Sequence, residues 1–462
     1  MNRAGSTSPT ADRMPQLSDL SADLSADALI TDHDVMLGYL RDQAPTVGHG
    51  NPIGVVRARS TADVVAAVEW CRQNEVPIVP RGAGTGLSGG ANAVTGGIVL
   101  CLERMNTVVE VDPDAQLVTV GAGVVTAKVR EAASEYGLWY PPDPSSYEWS
   151  TIGGNVATNA GGLCCLGYGT TGDFVQSLEL VTAAAEVVRV GRRTRKGVAG
   201  YDITRLLVGS EGTLGVFTEV TLRLIPIPPP PATIVVAFDD LAATTLAVLR
   251  LMHRPTPPTV LELVDRPSLV AIESDLRMGL PTDAAAMLFV QTAQEFRSAT
   301  VELLGETGGR DLYATADAAE GAQFLGARRA VLPALERLGT VLLDDVAVPV
   351  VVLDRFVDEV QSIGRRHDVV IATFGHAGDG NLHPTIVVPQ EQPERAVRAF
   401  DDIVAFALVL GGTITGEHGV GTLKRSALVT ELGTAGIALH RCIKDAFDPT
   451  HLFNPGKVLE PW

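Results

Sequence analysis

A proline-rich segment near the middle of the chain is the feature that most restricts its fold. Ile225 to Pro231 contains five prolines in seven residues. Proline cannot donate to a sheet ladder and breaks helices, so this segment is predicted to be an extended linker. The chain has 462 residues, which is enough for a separate hydrophobic core on each side of the linker. We therefore predict two domains, over residues 27–226 and 227–462.

The spacing of apolar residues predicts an α+β protein. In the first part, short β-type runs alternate with helical runs and glycine turns, and a helix is predicted to begin with Thr61 as its N-cap. In the second part, the strand-like residues 234–238 precede a helical run to about Met252, and the pattern repeats at 286–291 and 296–304. This repeat favours an antiparallel sheet backed by helices. The strands predicted in the first part are 76–79, 98–100, 118–120, 178–181 and 216–224.

Charge and composition exclude several classes of function. The formal net charge of -18 argues against binding to nucleic acid or to anionic lipid. The five cysteines are odd in number and form no C-x-x-C pattern, which indicates a reducing compartment. Residues 1–26 lack the apolar region of a signal peptide and are predicted to be a disordered arm. We expect no transmembrane segment and a cytoplasmic protein, with peripheral attachment to the inner face of the membrane left open.

Three glycine-rich segments in the first part predict a large phosphate-containing ligand. They are Arg81-Gly-Ala-Gly-Thr-Gly-Leu-Ser-Gly-Gly90, the segment 150–162, and Gly209-Ser-Glu-Gly-Thr-Leu-Gly215. The first contains a G-x-G-x-x-G pattern, but no apolar period follows it, so the helix that a Rossmann site needs is not predicted. Bare backbone amides can instead surround a diphosphate without a helix. The alternative is that these segments are only flexible turns.

Histidines and a carboxylate in the second part predict a metal site. His376 and His383 flank a glycine-rich turn, and Glu417 and His418 lie in a second one. Imidazole and carboxylate are suitable ligands for a divalent cation such as zinc. The alternative is a pair of hairpin turns that carry surface histidines.

The motifs together resemble those of a known flavoprotein family. The segments 79–90, 141–146, 150–155 and 200–216 resemble the FAD domain of the vanillyl-alcohol oxidase superfamily. With 375–383, 416–421 and 453–458, the chain resembles the FAD-linked D-2-hydroxyacid dehydrogenases, which include D-lactate dehydrogenases, the glycolate oxidase FAD subunit and D-2-hydroxyglutarate dehydrogenases. The resemblance runs from about Leu37 to Leu459. It implies a vanillyl-alcohol oxidase-type FAD-binding domain followed by an α+β domain that binds substrate and metal.

The resemblance also implies which residues contact FAD. Some relatives attach the flavin covalently through a histidine in the first glycine segment, where this chain has Thr85, so non-covalent FAD is expected. The implied FAD-binding residues are Arg81, Gly82, Gly84, Thr85, Gly86, Leu87, Ser88, Pro142, Asp143, Thr151, Gly153, Gly154, Asn155, Glu211, Gly212, Val216 and Asn454.

In the second domain the resemblance implies a catalytic centre. His376, His383 and Glu417 would ligate a zinc-like ion, and His418 would be the base. A bound cation lowers the pKa of a coordinated hydroxyl, so His418 could take the 2-hydroxyl proton while the Cα hydride passes to flavin N5. The expected activity is oxidation of a small D-2-hydroxyacid, D-lactate first, to the 2-oxoacid.

Substrate size is predicted from three further positions. Arg328 aligns with the carboxylate-binding arginine of the family, although Arg329 could exchange roles with it. D-2-hydroxyglutarate dehydrogenases carry a lysine and an asparagine where this chain has Asp344 and Thr385. Both differences favour a monocarboxylate such as D-lactate or glycolate over D-2-hydroxyglutarate.

Two other functions and several partners remain open from the sequence. A zinc hydrolase could use the same histidines, but it leaves the glycine segments unexplained. A FAD subunit that requires partner subunits is the other alternative. The electron acceptor could be a quinone, a cytochrome or an electron-transfer flavoprotein, and a homodimer is left open. Cys164 and Cys165 could form a redox pair or could simply be small buried side chains.

Overall fold

The first domain contains two sheets that share one hydrophobic core. The computed structural model describes residues 16–460. A four-stranded sheet has the order β1-β2-β4-β3, with β2 and β3 parallel to β4, and a five-stranded antiparallel sheet has the order β5-β6-β10-β8-β9. The strands of this domain are β1 (Leu29–Ile30), β2 (Gly54–Arg57), β3 (Ile78–Arg81), β4 (Ile98–Cys101), β5 (Val108–Asp112), β6 (Leu117–Gly121), β7 (Leu138–Trp139), β8 (Val175–Val181), β9 (Val187–Gly191), β10 (Val216–Arg223) and β11 (Ile225–Pro226).

Short helices connect and cover these sheets. The longest begins at Thr61, but its N-cap is Ser60, whose hydroxyl accepts from the amide of Asp63, so the predicted cap was one residue late. The hydroxyl of Thr61 donates to Glu179 instead. The helices of this domain are α1 (Leu17–Asp23), α2 (His33–Met36), α3 (Thr61–Gln73), α4 (Thr126–Ser134), α5 (Ile152–Thr158), α6 (Cys165–Tyr168), α7 (Thr171–Phe174) and α8 (Ile203–Leu207).

The second domain is built on one large antiparallel sheet, as predicted. Its strand order is β15-β12-β14-β13-β18-β19-β16, and β17 also pairs with β19. The strands are β12 (Ala232–Phe238), β13 (Val260–Asp265), β14 (Ala286–Thr292), β15 (Arg310–Thr315), β16 (Val341–Leu343), β17 (Val346–Ala347), β18 (Ile371–His376) and β19 (Asn381–Val387). The helices are α9 (Leu241–Met252), α10 (Arg266–Leu276), α11 (Arg297–Glu306), α12 (Ala318–Arg329), α13 (Val331–Glu336), α14 (Leu353–His367), α15 (Glu394–Val409) and α16 (Arg425–Phe447).

The predicted linker and the end of the predicted second domain differ from expectation. At the start of the linker, Ile225–Pro226 still pairs with Leu138–Trp139, so the segment without regular structure is only 227–231. At the end of the second domain, the chain returns to the first domain: Phe453 pairs in parallel with Ile78 and is fully buried in the first core. The domain predicted over 227–462 therefore contributes its last segment to the first domain.

The predicted N-terminal arm is also shorter than expected. Residues 17–23 form α1, because Leu20 is completely buried in the first core. The amide of Ser25 donates to Asp63 of α3 over 2.8 Å, which fixes the chain beyond the helix. The prediction that residues 1–26 are disordered is therefore wrong for residues 17–26. Residues 1–15 lie outside the part of the chain that the structure describes.

The structure has no helix, between residues 16 and 460, with both the length and the apolar surface that a bilayer span requires.

Candidate active site

Three neighbouring strands of the second sheet place two histidines and a glutamate together. His376 ends β18, and His383 lies on β19 after the turn 377–380. On the other side of β18, Glu262 of β13 is the direct cross-strand partner of His376. Opposed residues of an antiparallel pair project to the same face. The three side chains are therefore on one face of the sheet, and each is at least 95% buried.

A glycine-rich loop after α15 brings Glu417 and His418 to this face. Asp345 fixes the loop, since its Oδ2 accepts from the amides of Gly416, Glu417 and His418 over 2.9–3.0 Å and from the hydroxyl of Thr415 over 2.7 Å. A carboxylate that accepts several amide hydrogen bonds is held in its ionised form. Burial raises the pKa of Asp345, but His418, Lys424 and His383 outweigh burial and hold that pKa below its ordinary value.

The ligand atoms converge on one carboxylate oxygen. Oε1 of Glu417 lies 3.5 Å from His376 Nε2, 3.3 Å from His383 Nε2 and 3.6 Å from His418 Nε2. The set His376, His383 and Glu417 has its ligand atoms within 4.8 Å of one another, as a metal site requires. Asp345, His383 and His418 form a second such set, which the sequence did not indicate.

The outer nitrogens of both histidines face carboxylates. Nδ1 of His376 donates to Glu262 over 2.6 Å, and Nδ1 of His383 lies 3.7 Å from Asp345 Oδ1. The hydrogen bond to Glu262 fixes the tautomer of His376 and leaves its Nε2 free to bind a metal. Nδ1 of His383 and Oδ1 of Asp345 are buried without a hydrogen-bond partner among residues 16–460. The donor set and its outer carboxylates thus fit a divalent cation.

The charges of these residues follow from their neighbours. Burial raises the pKa of Glu417, but His376 and His383 outweigh it and hold that pKa well below its ordinary value. Burial lowers the pKa of His376, but Glu262 and Glu417 outweigh it and raise that pKa well above normal. Burial lowers the pKa of His418 and Asp345 only partly offsets it, so this imidazole is neutral near pH 7, as a general base must be.

Arg328, not Arg329, enters the buried site. Arg328 is 5% exposed, and its guanidinium carbon lies 4.8 Å from the centre of the Phe374 ring. Its Nε and Nη2 donate to Oε2 of Glu262 over 2.9 and 2.8 Å. Arg329 is exposed. Nε and Nη2 of Arg328 are thus already paired with Glu262. Nη1 is the nitrogen that remains for another anion.

Asp344, which was expected to repel a second carboxylate, has its charge paired within the fold, so the structure does not support that expectation. It is completely buried and pairs with Lys424 over 2.7 Å. Lys424 also donates to the carbonyls of Ile414 and Asp345, so its three donors are used. Thr385 is completely buried as well, and its hydroxyl donates to the carbonyl of His383. The sequence missed Lys424 because it lies about eighty residues from Asp344.

The three glycine segments of the first domain meet, although one is not a loop. Residues 152–158 form the helix α5, and Gly153 and Gly154 lie in its first turn. The hydroxyl of its N-cap residue, Thr151, accepts from the amide of Gly154. Thr151 lies directly against Gly82 of the first segment. The side chain of Asn454 donates to the carbonyls of Gly90 and Glu211, both over 2.8 Å. These contacts join Thr151 to the first segment and Asn454 to the first and third segments. The first segment has no helix after it, as predicted.

The first glycine segment is shaped by its neighbours. Gly84 has φ +71, and a side chain there would collide with the guanidinium of Arg81. Asp42, which the sequence did not indicate, accepts from the amide of Ala44 while its own amide donates to Asn92. Four buried polar atoms here have no partner within the described chain, as a polar ligand would require: Asp42 Oδ2, Arg81 Nη1, Ser210 Oγ and Asn454 Oδ1. The residues present therefore fit FAD.

The predicted FAD-binding residues also hold the loop of the second domain. Both oxygens of Glu211 accept backbone amides, from Val420 over 2.7 Å and from Gly421 over 2.8 Å. Burial raises the pKa of Glu211 to about 7. The hydroxyl of Ser88 donates to the carbonyl of His418 over 3.2 Å. The loop that carries Glu417 and His418 is thus fixed from both domains.

The segment 160–165 of the first domain covers the cluster. A side chain at Gly161 would collide with the carboxylate of Glu417. Asp143 accepts from the amide of Cys164 over 2.8 Å. Burial raises the pKa of the Cys164 and Cys165 thiols, so neither is a ready nucleophile. This supports the interpretation of the two cysteines as small packed side chains.

Comparison with known proteins agrees with the two-part organisation of the chain. Residues 227–458 match the family described as FAD linked oxidases, C-terminal domain, and residues 52–191 match the FAD binding domain family. The chain is 41% identical to glycolate oxidase subunit GlcD of Bacillus subtilis, over 91% of this chain and 92% of that protein. It is 32% identical to D-lactate dehydrogenase of Anaerostipes hadrus, over 96% and 97%. It is 34% identical to D-2-hydroxyglutarate dehydrogenase of Xanthomonas citri, over 89% and 90%.

Solved structures confirm the predicted vanillyl-alcohol oxidase-type fold. A substrate-bound p-cresol methylhydroxylase has a TM-score of 0.79 at 17% identity and covers 96% of each chain. An alkyldihydroxyacetonephosphate synthase has a TM-score of 0.75 at 18% identity, over 95% of this chain and 84% of that one. Fold and site define a FAD-dependent oxidoreductase. The chain belongs to the FAD-linked oxidase family, in its D-2-hydroxyacid dehydrogenase and glycolate oxidase group.

Proposed function

We propose that this protein oxidises a small D-2-hydroxymonocarboxylate, D-lactate first, to the corresponding 2-oxoacid. The observation that carries the proposal is the convergence of His376, His383, Glu417 and His418, with Arg328 joined to them through Glu262. When bound, FAD supplies a hydride acceptor and a divalent cation supplies a Lewis acid that makes the 2-hydroxyl more acidic.

The protein's own residues provide the remaining chemistry. His376, His383 and Glu417 would hold the cation, with zinc as the first choice for such ligands. Arg328 would bind the substrate carboxylate through its free Nη1 and so orient Cα. His418 would accept the hydroxyl proton at Nε2, the nitrogen that faces Glu417. Each step uses a residue that is at least partly buried, which keeps bulk water from competing.

The pairing of the buried basic side chains near the cluster supports a substrate with a single carboxylate. Arg328 pairs with Glu262, and Lys424 has its three donors used by Asp344, Asp345 and Ile414. In the described part of the chain, these are the two buried basic side chains next to the cluster. A second carboxylate in this site would therefore lack a cation. An unpaired buried carboxylate costs several kcal/mol, although the cost shrinks if water reaches it.

We expect D-lactate or glycolate to reduce the flavin faster than D-2-hydroxyglutarate, by on the order of a hundredfold or more, since each ~1.4 kcal/mol is about tenfold in rate. The measurement is anaerobic bleaching of the flavin by D-lactate, L-lactate, glycolate and D-2-hydroxyglutarate. L-lactate is the control for stereochemistry. Reduction by D-2-hydroxyglutarate at an equal or higher rate would contradict the proposal and favour the D-2-hydroxyglutarate dehydrogenase assignment.

A second candidate function is the FAD subunit of a multi-subunit glycolate oxidase. The 41% identity to a glycolate oxidase subunit favours it. In that case glycolate would be preferred to D-lactate, and partner subunits would be required for turnover with the physiological acceptor, whether quinone, cytochrome or electron-transfer flavoprotein. Turnover of the purified chain with an artificial dye distinguishes the two, because an independent dehydrogenase needs no partner for it.

We expect one FAD per chain, released intact when the protein is denatured by acid or heat. The reason is that the first glycine segment offers Thr85 and no histidine for covalent attachment. The measurement is the flavin absorbance of the supernatant and of the precipitated protein. Flavin that stays with the precipitate would contradict non-covalent binding.

A further inference from the structure

Glu262 is a buried acid that the sequence analysis did not place in the active site. It lies in an otherwise apolar part of β13, between Leu261 and Leu263, and is 1% exposed. Glutamate is almost never buried to this extent unless it is paired. Here it has two partners on opposite sides. Its Oε1 accepts from His376 Nδ1, and its Oε2 accepts from Nε and Nη2 of Arg328.

The two partners have different tasks under the proposed function. His376 would be a metal ligand, and Arg328 would bind the substrate carboxylate. Among residues 16–460, only the side chain of Glu262 forms hydrogen bonds with both His376 and Arg328. Because β13 pairs with β18 with Glu262 opposite His376, the sheet fixes the position of this carboxylate. Arg328 reaches it from α12, over 66 residues of chain.

The electrostatics point the same way. Glu262 lies between an imidazole and a guanidinium, at 2.6 Å from His376 Nδ1 and at 2.9 and 2.8 Å from Nε and Nη2 of Arg328. Buried ion pairs are weak evidence for stability, because apolar residues of the same size often stabilise a core as well or better. A role in positioning accounts for this arrangement more directly.

We infer that Glu262 is a positioning residue that joins the metal site to the carboxylate-binding arginine. Its Oε1 holds the His376 ring with Nε2 toward Glu417, where the cation would bind, and its Oε2 holds Nε and Nη2 of the guanidinium, which leaves Nη1 for a substrate carboxylate. This inference rests on the proposed function. Loss of the carboxylate should weaken both metal binding and substrate binding, whereas loss of either partner alone should weaken one of them first.

The test compares Glu262→Gln with the unaltered protein and with Asp265→Asn. Asp265 is a matched control, because it is an equally buried acid on the same strand that caps α10 and has no contact with the cluster among its hydrogen bonds. In the FAD-loaded proteins, zinc affinity is measured by competition with a chelating dye. We expect Glu262→Gln to lose about 10- to 100-fold in zinc affinity, which is the usual effect of removing an outer carboxylate, and Asp265→Asn to lose less than about threefold.

Substrate binding is measured separately, as the KM for D-lactate at saturating zinc. At saturating zinc the metal site is occupied in each variant, so any remaining rise in KM reflects the lost contact between Glu262 and Arg328. We expect a rise of about tenfold in Glu262→Gln. In an Arg328→Ala background, the same change should raise KM by no more than about twofold, because the partner is already absent. If Glu262→Gln and Arg328→Ala instead raise KM by independent factors that multiply in the double variant, the proposed link between Glu262 and Arg328 is overturned.

The outcomes separate this inference from the proposed function. If the unaltered protein binds no zinc or is not reduced by D-lactate, the proposed function fails and the inference fails with it. If the unaltered protein does both and folded Glu262→Gln matches it in zinc affinity and KM, the inference alone is overturned. Should Glu262→Gln not fold, Glu262→Asp keeps the charge but is too short to reach both partners. It should then weaken at least one of the two bindings, and no change in either would overturn the inference.

Discussion

Removal of the divalent cation is expected to abolish reduction of the flavin by D-lactate while FAD remains bound. The two sites are formed by different residues: His376, His383 and Glu417 belong to the second domain, whereas the glycine segments that fit FAD belong to the first. A Lewis acid contributes several kcal/mol to deprotonation of the hydroxyl, so the rate of flavin reduction should fall by on the order of a thousandfold. Chelated protein should therefore stay yellow in the presence of substrate.

The same loss is expected in His376→Ala, whose ring nitrogen Nε2 lies 3.5 Å from Glu417. The matched control is His440→Ala, an exposed histidine on α16 that contacts the carbonyl of Gly436. Metal content and the rate of anaerobic bleaching are measured for each protein. Full activity in His376→Ala, in samples where metal analysis finds no ion, would mean that the cluster is only a structural turn.

Much of the fold was accessible from local sequence patterns. The strands that the apolar runs predicted at 98–100, 118–120 and 216–224 lie within or largely overlap β4, β6 and β10. The alternation at 234–238 and the helical run to Met252 correspond to β12 and α9. These strands stand out as short apolar runs because most of their residues are buried on both faces of the sheet. Local patterns do not identify which distant segments meet, however, and the errors at the N-terminal arm, at the C-terminal segment and at Asp344 come from such contacts.

For the site, too, local motifs were informative and contacts between distant segments were not. Histidine and glutamate in glycine-rich turns indicated the cluster, since those residue types are rare together outside metal sites. The acids that support it, Glu262 and Asp345, depend on partners 66 to 114 residues away in the chain. A glutamate within an apolar strand was a usable signal for Glu262, because such a residue must find a partner when buried. Asp344 was misinterpreted because its neutralisation by Lys424 is a contact made only in the folded protein.

Replacement of His418 and of Arg328 by alanine should cause two different kinds of defect. General-base catalysis contributes about 10²- to 10⁴-fold, so His418→Ala should slow flavin reduction by that factor at saturating D-lactate. Arg328→Ala should chiefly raise KM, by about 10- to 100-fold, because it removes a charge-assisted pair with the substrate. Stopped-flow reduction over a range of D-lactate concentrations separates the limiting rate from the apparent affinity.

Two controls keep this comparison specific. Arg329→Ala removes an exposed neighbouring guanidinium and should leave both quantities near those of the unaltered protein. Zinc content should be unchanged in His418→Ala, because the candidate ligands His376, His383 and Glu417 remain in place. The defect then belongs to proton removal and not to loss of the cation. Flavin reduction by His418→Ala at the unaltered rate, with zinc still bound, would require another base, and Asp345 and Glu417 would be the nearest acids to test.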